Sequence, residues 1–90
     1  METRITCPPE PCLSKRLSEL VDFMPKEIVI LLVDFSNVGI VTGSSISKLL
    51  KLRKVLERRN GQIVLCNVTP QTKGIFAITE LEKVFKFSDH

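Results

Sequence analysis

Residues 28–45 read Ile-Val-Ile-Leu-Leu-Val-Asp-Phe-Ser-Asn-Val-Gly-Ile-Val-Thr-Gly-Ser-Ser. The first six are apolar and mostly β-branched, the pattern of a central strand with apolar cover on both faces, as in a mostly parallel sheet. Asp34-Phe35-Ser36-Asn37 then supplies turn chemistry at the strand's carboxyl end. Thr42-Gly43-Ser44-Ser45 offers hydroxyls that cap a new helix. Strand, loop and helix in that order point to an α/β fold.

Downstream, the spacing predicts a second helix from about Ser45 to Arg59, with Ile46, Leu49, Leu52 and Leu56 on one side and Lys51, Lys54 and Arg58 opposite. Asn60-Gly61 ends it, since both residues tolerate a left-handed backbone. Gln62 to Val68 is a second buried strand. Thr69-Pro70 opens a third helix, a capping hydroxyl followed by proline at its favoured first position, with Ile75, Phe76 and Ile78 expected to face inward. Leu81, Val84 and Phe85 make a last short helical turn, followed by Phe87 and a polar Ser88-Asp89-His90 tail. Upstream, Leu13, Leu17, Leu20 and Val21 repeat at helical spacing in a first helix over Leu13–Phe23, which Pro25 stops. Residues 1–12 read as irregular chain, with at most a short strand around Arg4 to Cys7, because Pro8, Pro9 and Pro11 cannot donate to a ladder.

Ninety residues allow one domain, 1–90, and 43% hydrophobic with 26% charged residues is the profile of a folding chain rather than a disordered one. The run Ile28–Val33 is far shorter than the roughly 20 apolar residues a bilayer crossing needs, so no membrane span is expected. The first residues have no apolar core of the secretory kind, and Cys7, Cys12 and Cys66 are odd in number. Both features predict a cytoplasmic protein with reduced thiols. Catalysis is not expected: His90 is the one histidine and lies at the terminus, so neither a Cys-His nor a Ser-His pair can be assembled. The cysteines lack partners for a zinc site, no Gly-Lys-Ser or Gly-Lys-Thr loop occurs, and no cofactor is expected. Lys48, Lys51, Lys54, Arg58 and Arg59 could bind phosphates, but a net charge of +3 and the absence of Trp and Tyr make a solvated helix face the better reading and nucleic acid the weakest partner class.

Taken in order, Asp34-Phe35-Ser36, then Ile46, Leu49 and Leu50, Gly61, Val64-Leu65-Cys66-Asn67-Val68-Thr69-Pro70, and Ile78-Thr79-Glu80-Leu81 with Val84-Phe85 resemble the STAS domain, the fold of bacterial anti-sigma factor antagonists. The resemblance runs without a gap from Leu13 to Phe87. It implies an α/β STAS-like fold: a small mixed β-sheet with helices packed mainly on one side, N-terminal strands abbreviated, and an open sheet edge that a second copy could fill. It also implies a non-catalytic regulatory module that docks on an anti-sigma factor or serine kinase through loop 41–45 and the start of the second helix. The partner contacts carried over are Asp34, Ser36, Asn37, Thr42, Gly43, Ser44, Ser45 and Lys48.

In the family, phosphorylation in this loop reverses docking, usually at the first serine of an Asp-Ser-Ser-Gly sequence. Here Thr42, Gly43, Ser44 and Ser45 occupy those four places, so Gly43 stands at the acceptor position. Either Ser44, or less readily Thr42 or Ser45, takes the phosphate, or the switch has been lost and these hydroxyls only cap the helix. The alternative role is a STAS subunit of a transporter or signalling complex that holds its partner without phosphorylation.

Overall fold

Residues 2–88 are described in the structure, a computed structural model of the chain; Met1 and the Asp89-His90 end of the polar tail lie outside them. In chain order the elements are β1 (Glu2–Thr6), α1 (Cys12–Phe23), β2 (Ile30–Asp34), α2 (Gly43–Glu57), β3 (Gln62–Cys66), α3 (Pro70–Ile78), a 3₁₀ turn (Leu81–Lys83) and β4 (Lys86–Ser88). The strands lie in the order β1-β2-β3-β4, and all three pairings are parallel. The mixed sheet implied by the resemblance is therefore, among the described residues, an all-parallel one. A helical segment follows each of the first three strands and returns the chain to the end where the next begins. Such crossovers are right-handed, so a strand order that advances in one direction puts the helices on the same face.

Burial follows that arrangement. Leu31 and Val33 of β2 and Ile63 and Leu65 of β3 are at most 3% exposed, whereas Ile30, Leu32, Gln62 and Val64 between them are only half-buried. The continuous apolar run of β2 is thus covered fully on one face, not equally on both as its composition suggested. Against the covered face pack Leu13, Leu17 and Leu20 of α1 and Leu49, Leu52 and Leu56 of α2, spaced three or four residues apart on one side of each helix. The Phe76 ring of α3 meets Phe85 and Phe87 at centroid separations of 5.9 and 5.7 Å, closing the core at the β4 end.

Three local expectations change. Residues 2–6, read as mostly irregular, form the edge strand β1, paired from Glu2↔Ile30 to Thr6↔Asp34. The prolines begin at Pro8, beyond the last ladder pair, and so do not interrupt it. Residues 86–88 form β4, too short for its alternation to be read from sequence. Ile78 does not face inward: it ends α3 and is 84% exposed, while Phe76 carries the buried side. The Asn60-Gly61 stop holds for two separate reasons. Asn60 takes the left-handed backbone at φ 57°, and Gly61 passes so close to the Val29 carbonyl that a Cβ there would collide with it. Among the described residues, no helix is long and apolar enough to cross a membrane.

Candidate functional site

In a parallel sheet with a helix after each strand, the loops leaving the strands' carboxyl ends gather at one end of the molecule, where recognition surfaces are commonly built. The β2–α2 connection is the longest of these loops. Phe35, Val38 and Val41 are 1 to 4% exposed and pin it to the core, which turns Ser36, Asn37, Gly39, Ile40, Thr42, Gly43 and Ser44 outward. Apolar residues three apart thus fix the loop's path, and the polar residues between them form its surface.

Asp34 holds the root of this loop. Its Oδ2 accepts from Arg4 Nη2 at 2.7 Å and Nε at 3.2 Å, and its Oδ1 accepts from the Ser36 amide at 2.8 Å and Asn67 Nδ2 at 3.1 Å. The guanidinium first, then the Asn67 amide and the Ser36 N–H, hold this carboxyl well below the usual carboxylate range. Asp34 is 7% exposed and ties β1, β2 and the end of β3 together. Its carboxylate, expected from sequence among the partner contacts, is engaged internally and supports the root of the loop.

At the start of α2 the hydroxyls behave unequally. Thr42 is the N-cap, its Oγ1 accepting from the Ser45 amide at 3.3 Å. The same hydroxyl donates to Glu10 Oε2 at 2.7 Å, and the Thr42 amide donates to that oxygen at 2.9 Å. Ser45 is fully buried, and its Oγ donates to Glu10 Oε2 at 2.6 Å. Glu10 Oε1 receives the amide and hydroxyl of Ser14 in the first turn of α1, each at 3.3 Å, and Ser14 Oγ lies 2.8 Å from Ser45 Oγ. One carboxylate therefore sits between the N-terminal ends of two helices, neither of which has an acidic residue in its own first turn. Burial would raise the pKa of Glu10, but the hydrogen bonds from Ser45, Thr42 and Ser14 outweigh it and lower the value to about 2.

Of the three expected acceptors, Ser44 alone is exposed with its hydroxyl outside this cluster; it accepts from Lys48 Nζ at 3.1 Å, one helical turn on. Thr42 is exposed but committed to Glu10. Ser45, placed by sequence among the phosphorylation candidates and partner contacts, is sealed beneath the loop, a position that its neighbours in the sequence could not reveal. Gly43 is exposed, and a Cβ built on it would meet nothing within 4 Å. Ser36 and Asn37 are exposed on the preceding turn, and Lys48 is half-buried beside Ser44. Sequence reasoning missed Glu10 and Ser14. The available signal was a single acid between prolines directly ahead of a helix that has no acid in its own first turn. Elsewhere, burial pushes the Cys7 thiol up to about 11 and raises that of Cys66, so both are protonated at neutral pH.

The crystal structure of TM1081, a candidate anti-sigma factor antagonist from Thermotoga maritima, superimposes with a TM-score of 0.84 at 14% identity, over 99% of this chain and 80% of that one. The NMR structure of TM1081 gives a TM-score of 0.82 at 15% identity, over 98% and 74% of the two chains. These similarities establish the fold. In sequence, a STAS-domain containing protein of Pseudomonas aeruginosa, PA14_20770, is 36% identical over 70 residues, which are 78% of this chain and 66% of that protein, just under two thirds of its length. The family model for the STAS domain matches residues 3–90. A match over nearly the whole length, on a fold shared with the Thermotoga structures, means that this chain belongs to the STAS domain family.

Proposed function

We propose that this chain is a non-catalytic regulatory module that docks on an anti-sigma factor or its serine kinase through loop 41–45 and the start of α2, and that phosphorylation of Ser44 releases it. The observation that carries this reading is the position of Ser44: exposed at the second position of α2, its hydroxyl accepting from Lys48, and next to the family's acceptor position. A phosphate there adds about −1.5 to −2 charge at a helix N-terminus, where backbone N–H groups and the dipole stabilise it, and it changes the surface offered to a partner. The candidate antagonist role of TM1081 supports the same direction. Such docking takes place in a bacterial cytoplasm and ends in altered transcription. A second copy adding along the free edge of β1 belongs to the same proposal, and light scattering at rising concentration tests it.

The test is intact mass after incubation with candidate anti-sigma factor kinases and ATP. One added phosphate, mapped by fragmentation to Ser44, is expected. A phosphate on neither Ser44 nor Thr42, with tight binding retained, favours the second reading: a STAS subunit of a transporter or signalling complex that holds its partner without modification. Gly43 at the acceptor position is the observation that favours that alternative.

A further inference from the structure

The outward face of α2 and its C-cap carry Lys48, Lys51, Lys54 and Arg58, at steps of three, three and four residues, so the four side chains follow one stripe. The stripe is about 15 Å long at 1.5 Å per residue. Lys51, Lys54 and Arg58 are exposed, and Lys48 is half-buried against Ser44. The ion pairs among the described residues are Arg4–Asp34, Arg16–Glu19 and Arg53–Glu57, none of which includes a member of the stripe. Glu57, the one acid of α2, is held by Arg53 at 2.6 Å on the flank. The other nearby cation, Arg59, is structural: its guanidinium donates to the carbonyls of Met24, Pro25 and Ile28.

Neighbouring like charges at these spacings repel one another, and Lys48 lies within reach of the positive end of the α2 dipole, whereas Lys54 in the last turn and Arg58 at the C-cap are favoured by its negative end. A face that meets opposite charge offsets the repulsion along the stripe. We propose that this stripe is a docking surface for an acidic helical face of the protein partner, continuous with the loop at Ser44. The inference rests on the docking reading above and names the chemistry of the partner. Protein is favoured over nucleic acid because no aromatic residue interleaves with these cations to stack single-stranded bases, and a net charge of +3 is small for a domain that binds a duplex through its phosphates. Ser44 precedes Lys48 by one turn on the same side. A phosphate on it therefore pairs with Lys48 and offsets a large part of the stripe's charge, which repels an acidic partner at the place where it would dock.

The test uses two helical peptides of identical composition, one with its glutamates on a single face at the stripe's spacing and one with the same glutamates scattered, together with a generic DNA duplex. Binding of each to the full chain is followed by fluorescence anisotropy. The single-face peptide is expected to bind roughly tenfold more tightly than the scattered one and to weaken as salt rises. Combined Lys51→Glu and Lys54→Glu replacement is expected to remove that preference, Ser44→Asp to reduce the affinity, and Lys73→Glu, an exposed change on α3, to leave it unchanged. Circular dichroism of the double variant controls for folding. Equal binding of the two peptides overturns the proposal, as does binding of the duplex with neither peptide. The mass experiment on Ser44 is read separately: peptide discrimination without kinase modification overturns the switch and leaves the stripe standing, and the reverse outcome overturns the stripe alone.

Discussion

Glu10 sits between the first turns of α1 and α2 and satisfies donors from both, so its charge supports the loop before α2 although it belongs to neither helix. Glu10→Gln keeps the shape and removes the charge, and is expected to lower stability by about 1 kcal/mol at neutral pH, the scale of an anion lost from a helix N-terminus. The pH dependence has a definite sign. The folded pKa of about 2 lies below the ordinary carboxyl value, so between the two the unfolded chain binds the extra proton. The contribution is full above the unfolded value and is lost as pH falls towards 2. Urea melts of the parent should therefore weaken over that acid range, and those of Glu10→Gln should weaken less; parallel curves would contradict the assignment. Gly43 gives a second residue-level expectation. A Cβ there meets open space, so Gly43→Ser is expected to leave stability unchanged or raise it by up to about 1 kcal/mol, and to create a second acceptor detectable by mass after kinase treatment. The roles of Ser44 and Thr42 as hydroxyls at a helix start were legible from their spacing. The burial of Ser45 was not, because it depends on a carboxylate 35 residues away in sequence.

Helix α2 carries core residues on one side and the proposed docking face on the other, and the two can be separated by mutation. Leu49 is fully buried on the inner side, so Leu49→Ala is expected to cost about 2–5 kcal/mol in chemical denaturation; a near-neutral result would mean that the helix is turned the other way. Gly74 lies within α3 with open space at its Cβ position, and Gly74→Ala is expected to raise the denaturation midpoint by an amount equivalent to about 1 kcal/mol. The three helices could be read from their apolar spacing because each turns one side to the sheet, and β2 and β3 because they are apolar runs closed by turn residues. β4 escaped, and β1 was read at most as a short strand around Arg4 to Cys7, for a common reason. As edge strands they bury few residues, and their polar positions hide the alternation: Glu2, Arg4 and Thr6 are exposed in β1, as is Lys86 in β4.

Across the whole molecule, the sheet turns its covered face to the helices and gathers the loops that leave its strands at its carboxyl end. Order along the chain, rather than any single motif, carried the family resemblance, because the fold repeats strand, loop and helix and sets the loop before α2 at the same end each time. The apolar run of β2 pointed to a mostly parallel sheet, but that every pairing is parallel was not legible, since the edge strands are short and their direction depends on where each crossover returns the chain. Docking through the loop at Ser44 is the claim on which the functional account turns. Its most direct test is the affinity of the parent chain, Ser44→Ala and Ser44→Asp for an anti-sigma factor kinase that the parent binds, measured by calorimetry with circular dichroism as the control for folding. The account predicts that Ser44→Ala binds like the parent and that Ser44→Asp binds roughly tenfold more weakly at an unchanged fold. Equal affinity of all three would contradict it.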